Sequence, residues 1–153
     1  MASVRNICFM SENHIRGIST TLALLDKALC EFDQWAKGRE IRSVLYQVLN
    51  PLSEAQRQLV AAEISQMKGI LEEILDTLHL EVTTRSSDKM ITSSCSVLWT
   101  SLVELESRHL RRYGVVPPDL AEFIDPRAGR LNDHLQKIAG SMAGKGSRQS
   151  KTE

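Results

Sequence analysis

Along most of this chain apolar residues recur three and four positions apart, the spacing that lines one stripe of a helix. Ile15, Ile18, Leu22, Leu25, Leu29 and Phe32 form the first such series, and Ser11 stands where a helix cap belongs. A helix to about Lys37 follows, stopped by Gly38, with the lysine charge at the negative end of the dipole. The stretch REIRSVLYQVLN carries a shorter pattern (Ile41, Val44, Leu45, Val48, Leu49) that predicts two to three turns of helix before Pro51 forces Asn50 out of helical geometry. Ser53 and Gln56 have the spacing of a capping box, so a second long helix starts there. Val60, Ile64, Met67, Leu71, Ile74 and Leu78 are its stripe, widened by Leu59, Ile70 and Leu75, and it runs to about Leu80. TTRSSD breaks the pattern, and Ser87 or Asp88 can cap a third helix built on Ile91, Cys95, Leu98, Leu102, Leu105 and His109, ending at Tyr113 before Gly114. After VVPP the pattern predicts a brief turn in DLAEFI. Asp125-Pro126 then opens a last helix on Ala128, Leu131, Leu135, Ile138 and Met142.

Nothing in the chain reads as a strand: there is no sustained alternation, no Asn-Gly or Asp-Gly hairpin, and only seven aromatic residues. The expected fold is therefore all-α: an antiparallel four-helix bundle with one or two extra short helices. With 153 residues, the chain has material for one core. Residues 11–143 are the expected bundle domain, residues 1–10 a flexible extension and residues 144–153 a disordered basic tail. Stripes wider than one chain can cover predict a homodimer.

Charge changes the picture only locally. Lys plus Arg equals Asp plus Glu, nineteen of each, which argues against a general polyanion binder. The balance is uneven, however: net +1 over residues 1–52, −5 over 53–106 and +4 over 107–153. Cys8, Cys30 and Cys95 are odd in number and irregular in spacing, which fits a reducing compartment. With no apolar export signal, a cytoplasmic location and no membrane partner are expected.

Two acid-x-x-His pairs, Asp76 with His79 and Glu106 with His109, have the spacing used in di-iron helical bundles. In an antiparallel bundle residues 79 and 109 would sit at opposite ends, about 30 to 40 Å apart. No metal site is assigned on that ground, and no cofactor fingerprint occurs. A second grouping is compatible with the topology. If the last helix runs back along the third, Glu106 and His109 share an end of the bundle with Arg127, Arg130, Asp133 and His134. That groove could hold a general acid and base or a phosphate. Arg127 and His134, six residues between them, have a spacing similar to the R-x4-6-H motif of HEPN ribonucleases, which are all-α, commonly dimeric and cut RNA without metal. Ala128 stands where that family usually has a polar residue. The resemblance implies Arg127 and His134 as catalytic residues of an RNA-processing enzyme; with Glu106 and His109 from the shared groove they make up the candidate catalytic set. Arg108, Arg111, Arg112 and Arg130 form a basic surface for an acidic protein face or nucleic acid. Nucleophile-base pairs and phosphate loops are absent while bundle signals recur. The leading expectation is thus a non-enzymatic module that binds a protein partner or itself.

Overall fold

The computed structural model describes residues 10–143, so the expectations for the segment before Met10 and for the tail after Ala143, Cys8 included, lie outside the described residues. Within them the chain is all-α apart from one two-stranded ribbon. No helix among the described residues is long and apolar enough to cross a membrane. The chain divides into two compact units at the Thr83–Thr84 junction.

In the first unit, α1 (Glu12–Ala36) begins as its cap predicts: the Ser11 side chain accepts from the His14 N–H at 3.2 Å. It ends against Gly38, whose φ of 87° is costly for any residue with a Cβ. The capping box of α2 (Glu54–Leu78) is complete, with Gln56 N–H donating to Ser53 Oγ at 3.2 Å and Ser53 N–H donating to Gln56 Oε1 at 2.9 Å. His79 closes α2 in the left-handed conformation, a place more often held by glycine or asparagine.

Between these helices the structure corrects the sequence reading. The expected short helix is a hairpin, in which β1 (Ile41–Arg42) pairs antiparallel with β2 (Gln47–Val48) and Ile41 lies opposite Val48. Chain reversal is the reason. A helix over residues 39–50 would separate its ends by about 18 Å, whereas the end of α1 and the start of α2 are adjacent. Asn50 Nδ2 donates to the carbonyls of Trp35 at 2.8 Å and Arg39 at 3.0 Å, and Leu52 N–H donates to Asn50 Oδ1 at 3.3 Å. The Arg57 guanidinium of the first turn of α2 fills the space beside Gly38, 2.9 Å from where a Cβ would stand. The two helices are thus antiparallel, packed through Leu29 and Ile64, which are buried.

The second unit holds α3 (Ser87–Val103), α4 (Ser107–Leu110), a 3-10 turn (Arg111–Tyr113) and α5 (Pro118–Ala143). Two further expectations are corrected here. The single helix to Tyr113 is broken at residues 104–106, with Glu106 extended at ψ 142°, although Gly114 does supply the positive-φ stop (143°). And α5 does not open at Asp125-Pro126; it opens at Pro118, where proline holds the first position, and continues through Pro126. One interaction links both corrections: the Asp125 carboxylate accepts from Ser107 N–H and from Ser107 Oγ, each at 2.7 Å. A carboxylate from α5 therefore caps α4 from outside, giving Ser107 N–H the acceptor that a continuous helix would have supplied as the carbonyl four residues back. Cys95 on α3 and Ala128 and Asn132 on α5 are the buried positions of this antiparallel pair.

Each pair buries a line narrower than its apolar stripe. At about 100° per residue, Leu25 and Phe32 on α1 and Ile70 on α2 fall to one side of the Leu29–Ile64 line, and all three are exposed. In the second unit Ile91 and Leu98 on α3 and Leu131 and Ile138 on α5 lie to one side of the Cys95–Ala128 line, again exposed, as is Leu105 just beyond the end of α3. Ser96, Thr100 and Gln136 occupy the other side.

Leu29, at 0% exposure, should dominate the stability of the first unit. Leu29→Ala is expected to cost about 2 to 5 kcal/mol in urea unfolding. Val44→Ala, at a side chain 93% exposed, should stay within about 0.5 kcal/mol of wild type.

Candidate functional site

The polar residues of interest in the second unit are positioned by the start of α5 and by the α4 segment it caps. Pro126 lacks the N–H that would bond the Glu122 carbonyl, and its ring crowds that turn. Beside it, the Arg127 side chain folds back on its own helix: Nη1 donates to the Phe123 carbonyl at 2.8 Å, and the guanidinium lies 3.7 Å from the centre of the Phe123 ring. Arg127 is therefore anchored on its own helix. Seven residues on, His134 projects from nearly the same direction, about 10 Å further along the axis. Arg127, Arg130, Leu131 and His134 together line an open recess of about 330 Å³.

The other two members of the expected groove are engaged elsewhere. Glu106 is the extended residue before α4, and its carboxylate pairs with Arg108 at 2.7 Å. His109 lies on α4, half-buried, with Nε2 sealed from solvent and without a hydrogen-bond partner. Because Ser107 is level with Asp125, α4 sits about 13 Å along α5 from His134. The structure thus brings Arg127, Arg130 and His134 together and leaves Glu106 and His109 at the capped junction. Of the remaining arginines, Arg111 is exposed, while Arg112 pairs with Glu104 at 2.5 Å and lies 4.9 Å from the centre of the Tyr113 ring. The Tyr113 hydroxyl and Glu104 hold the Arg112 guanidinium still more firmly protonated than usual.

A second cavity, about 420 Å³, opens between α3 and α5 and is lined by Cys95, Ser96, Trp99, Thr100, Leu135, Gln136 and Ala139. Its hydroxyls are committed to the helix itself: Ser96 Oγ donates to the Thr92 carbonyl and Thr100 Oγ1 to the Ser96 carbonyl, both at 3.2 Å. Asn132, 9% exposed, faces the helix contact with Oδ1 unpartnered. Cys30 and Cys95 are free thiols, the first exposed and the second buried. Asp76 and His79 belong to the first unit and Glu106 and His109 to the second. Among the described residues no three His, Cys, Asp or Glu side chains gather as a metal would need.

Sequence reasoning missed Asp125 as a cap for another helix, and Ser107 as its recipient. The signal was present only in part: an aspartate before a proline reads as the start of its own helix, and the partner is eighteen residues away. No protein-family model matches this chain, nor does any curated protein or solved structure.

The Ser107 backbone N–H, and then its hydroxyl, hold the Asp125 carboxyl below the ordinary aspartate value. The folded state therefore keeps this group ionised more firmly than the unfolded chain does. Its contribution is complete above about pH 4 and is lost as pH falls through the lower folded value. In thermal melts followed by circular dichroism at pH 6 and pH 3, wild type should lose more of its melting temperature than Asp125→Asn, whose cap cannot be protonated. Equal losses would show that the cap does not contribute.

Proposed function

We propose that this protein is a non-enzymatic helical interaction module of the cytoplasm that works by associating with itself and with a protein partner. The observation that carries this reading is the row of exposed apolar side chains beside each helix contact, Ile91, Leu98, Leu105, Leu131 and Ile138 above all. Heptad-spaced leucine and isoleucine left half in water gain free energy from any partner that covers them. The antiparallel four-helix bundle expected from the sequence belongs to this proposal, because four long helices that share their open flanks would bury those rows. Arg108, Arg111, Arg112 and Arg130 would then form the basic rim, suited to an acidic protein surface. Light scattering coupled to gel filtration is expected to give about twice the 17.2 kDa chain mass. A chain mass that stays single at every concentration removes self-association from this reading.

One observation supports the second reading, an RNA-processing enzyme of the HEPN type: the recess that collects Arg127, Arg130 and His134. It has Arg130 to meet a phosphate, the positive charge of the anchored Arg127 alongside, and an imidazole to move a proton. If it cuts RNA, His134→Ala should lower single-turnover cleavage about 100-fold or more. Cleavage that is unchanged in this variant belongs to a contaminant and ends the nuclease reading.

A further inference from the structure

Residues 43–49, Ser-Val-Leu-Tyr-Gln-Val-Leu, contain no charge, and they form the tip and return strand of the hairpin between α1 and α2. Val44 and Leu45 are 93% and 98% exposed, with Tyr46 and Leu49 also well in water. Such a tip could be a slack loop, but its base is tightly built. The ladder pairs Ile41 with Val48 and Arg42 with Gln47, and Ser43 N–H donates to the Tyr46 carbonyl at 3.0 Å. Asn50 clamps the base through the carbonyls of Trp35 and Arg39, and its own N–H donates to Glu40 Oε1 at 3.4 Å. A held apolar tip has already lost the conformational freedom that binding would otherwise cost it.

Resting on the self-association reading above, we infer that the hairpin tip is the contact between two copies of this chain, Val44, Leu45, Tyr46 and Leu49 of one packing against the same residues of the other about a two-fold axis. Three observations favour a second copy. An uncharged patch can face itself without setting like charges together, which a self-complementary interface requires. Arg42 and Glu40, paired at 3.1 Å beside the tip, offer both signs, so a two-fold partner can meet each with its opposite. Two tips together bring on the order of 1,000 Å² of surface, the lower end of what holds a specific dimer. A lipid surface is disfavoured by the same charges. Lys37 is neutralised by Asp33 at 2.6 Å and Arg42 by Glu40, which leaves Arg39, stacked 5.7 Å from the Trp35 ring centre, as the one basic residue of segment 37–49 without an acidic partner. That falls short of the cluster that would draw anionic headgroups.

The test compares wild type with the double variant Val44→Ser/Leu45→Glu by sedimentation equilibrium over one concentration range. Circular dichroism spectra of the two should coincide, since neither side chain packs on its own chain, so that a change of mass reports association and not unfolding. The expected result is a dimer for wild type and, in the variant, association weakened at least 100-fold, toward monomer. A variant that dimerises as tightly as wild type overturns the tip contact and leaves self-association standing on another surface. A wild type that is monomeric throughout overturns the self-association reading, and the tip contact with it. Co-sedimentation of wild type, but not of the variant, with phosphatidylcholine–phosphatidylserine vesicles would assign the tip to lipid and likewise overturn the proposal.

Discussion

Two helices lying side by side can bury only one line of side chains each, and both units of this protein are shaped by that constraint. Leu29 and Ile64 fill the line in one, Cys95, Ala128 and Asn132 in the other. Everything apolar to the side of the line is left half-wet unless something else covers it. In the second unit the buried line is made largely of small residues. That lets α3 and α5 approach closely and turns Leu131 and Ile138 outward, away from the positions where the largest side chains would gain most by burial.

The ends of the helices are fixed by polar atoms rather than by packing. Ser11, Ser53 and Asn50 satisfy backbone groups that helix ends leave open, and each does so over a short stretch of chain. Asp125 does the same over eighteen residues, and with larger consequences. It lets α3 stop early, sets α4 as a separate turn and fixes where α4 lies along α5. Where Glu106, Arg108 and His109 stand along α5 follows from that single carboxylate.

Placement decides the chemistry open to the candidate residues. Arg127 serves its own helix at the proline turn, and Glu106 and Arg108 neutralise each other. What stays available to a ligand is Arg130 and His134, both exposed on one side of α5. Two exposed groups over an open recess lack the water-excluded setting in which such groups become strong catalysts.

Local signals in the sequence were enough to mark α1 and α2 with both caps, the glycine stops at Gly38 and Gly114, and the helical nature of α3 and α5. Each depends on residues within a turn or two of one another, where spacing and side-chain chemistry act directly. The hairpin was not legible, because Ile41, Val44, Leu45, Val48 and Leu49 repeat as a helix would. Only the adjacency of the end of α1 and the start of α2 makes a turn-back of the chain the better solution. Nor was the break before α4, since nothing near Ser107 announces an acceptor. The dispersal of the expected four-residue groove followed from the same cause. Periodicity determined which segments are helical; which side of each helix is buried, and what its polar residues touch, was decided by atoms distant in sequence, which only the folded chain brings within hydrogen-bonding reach.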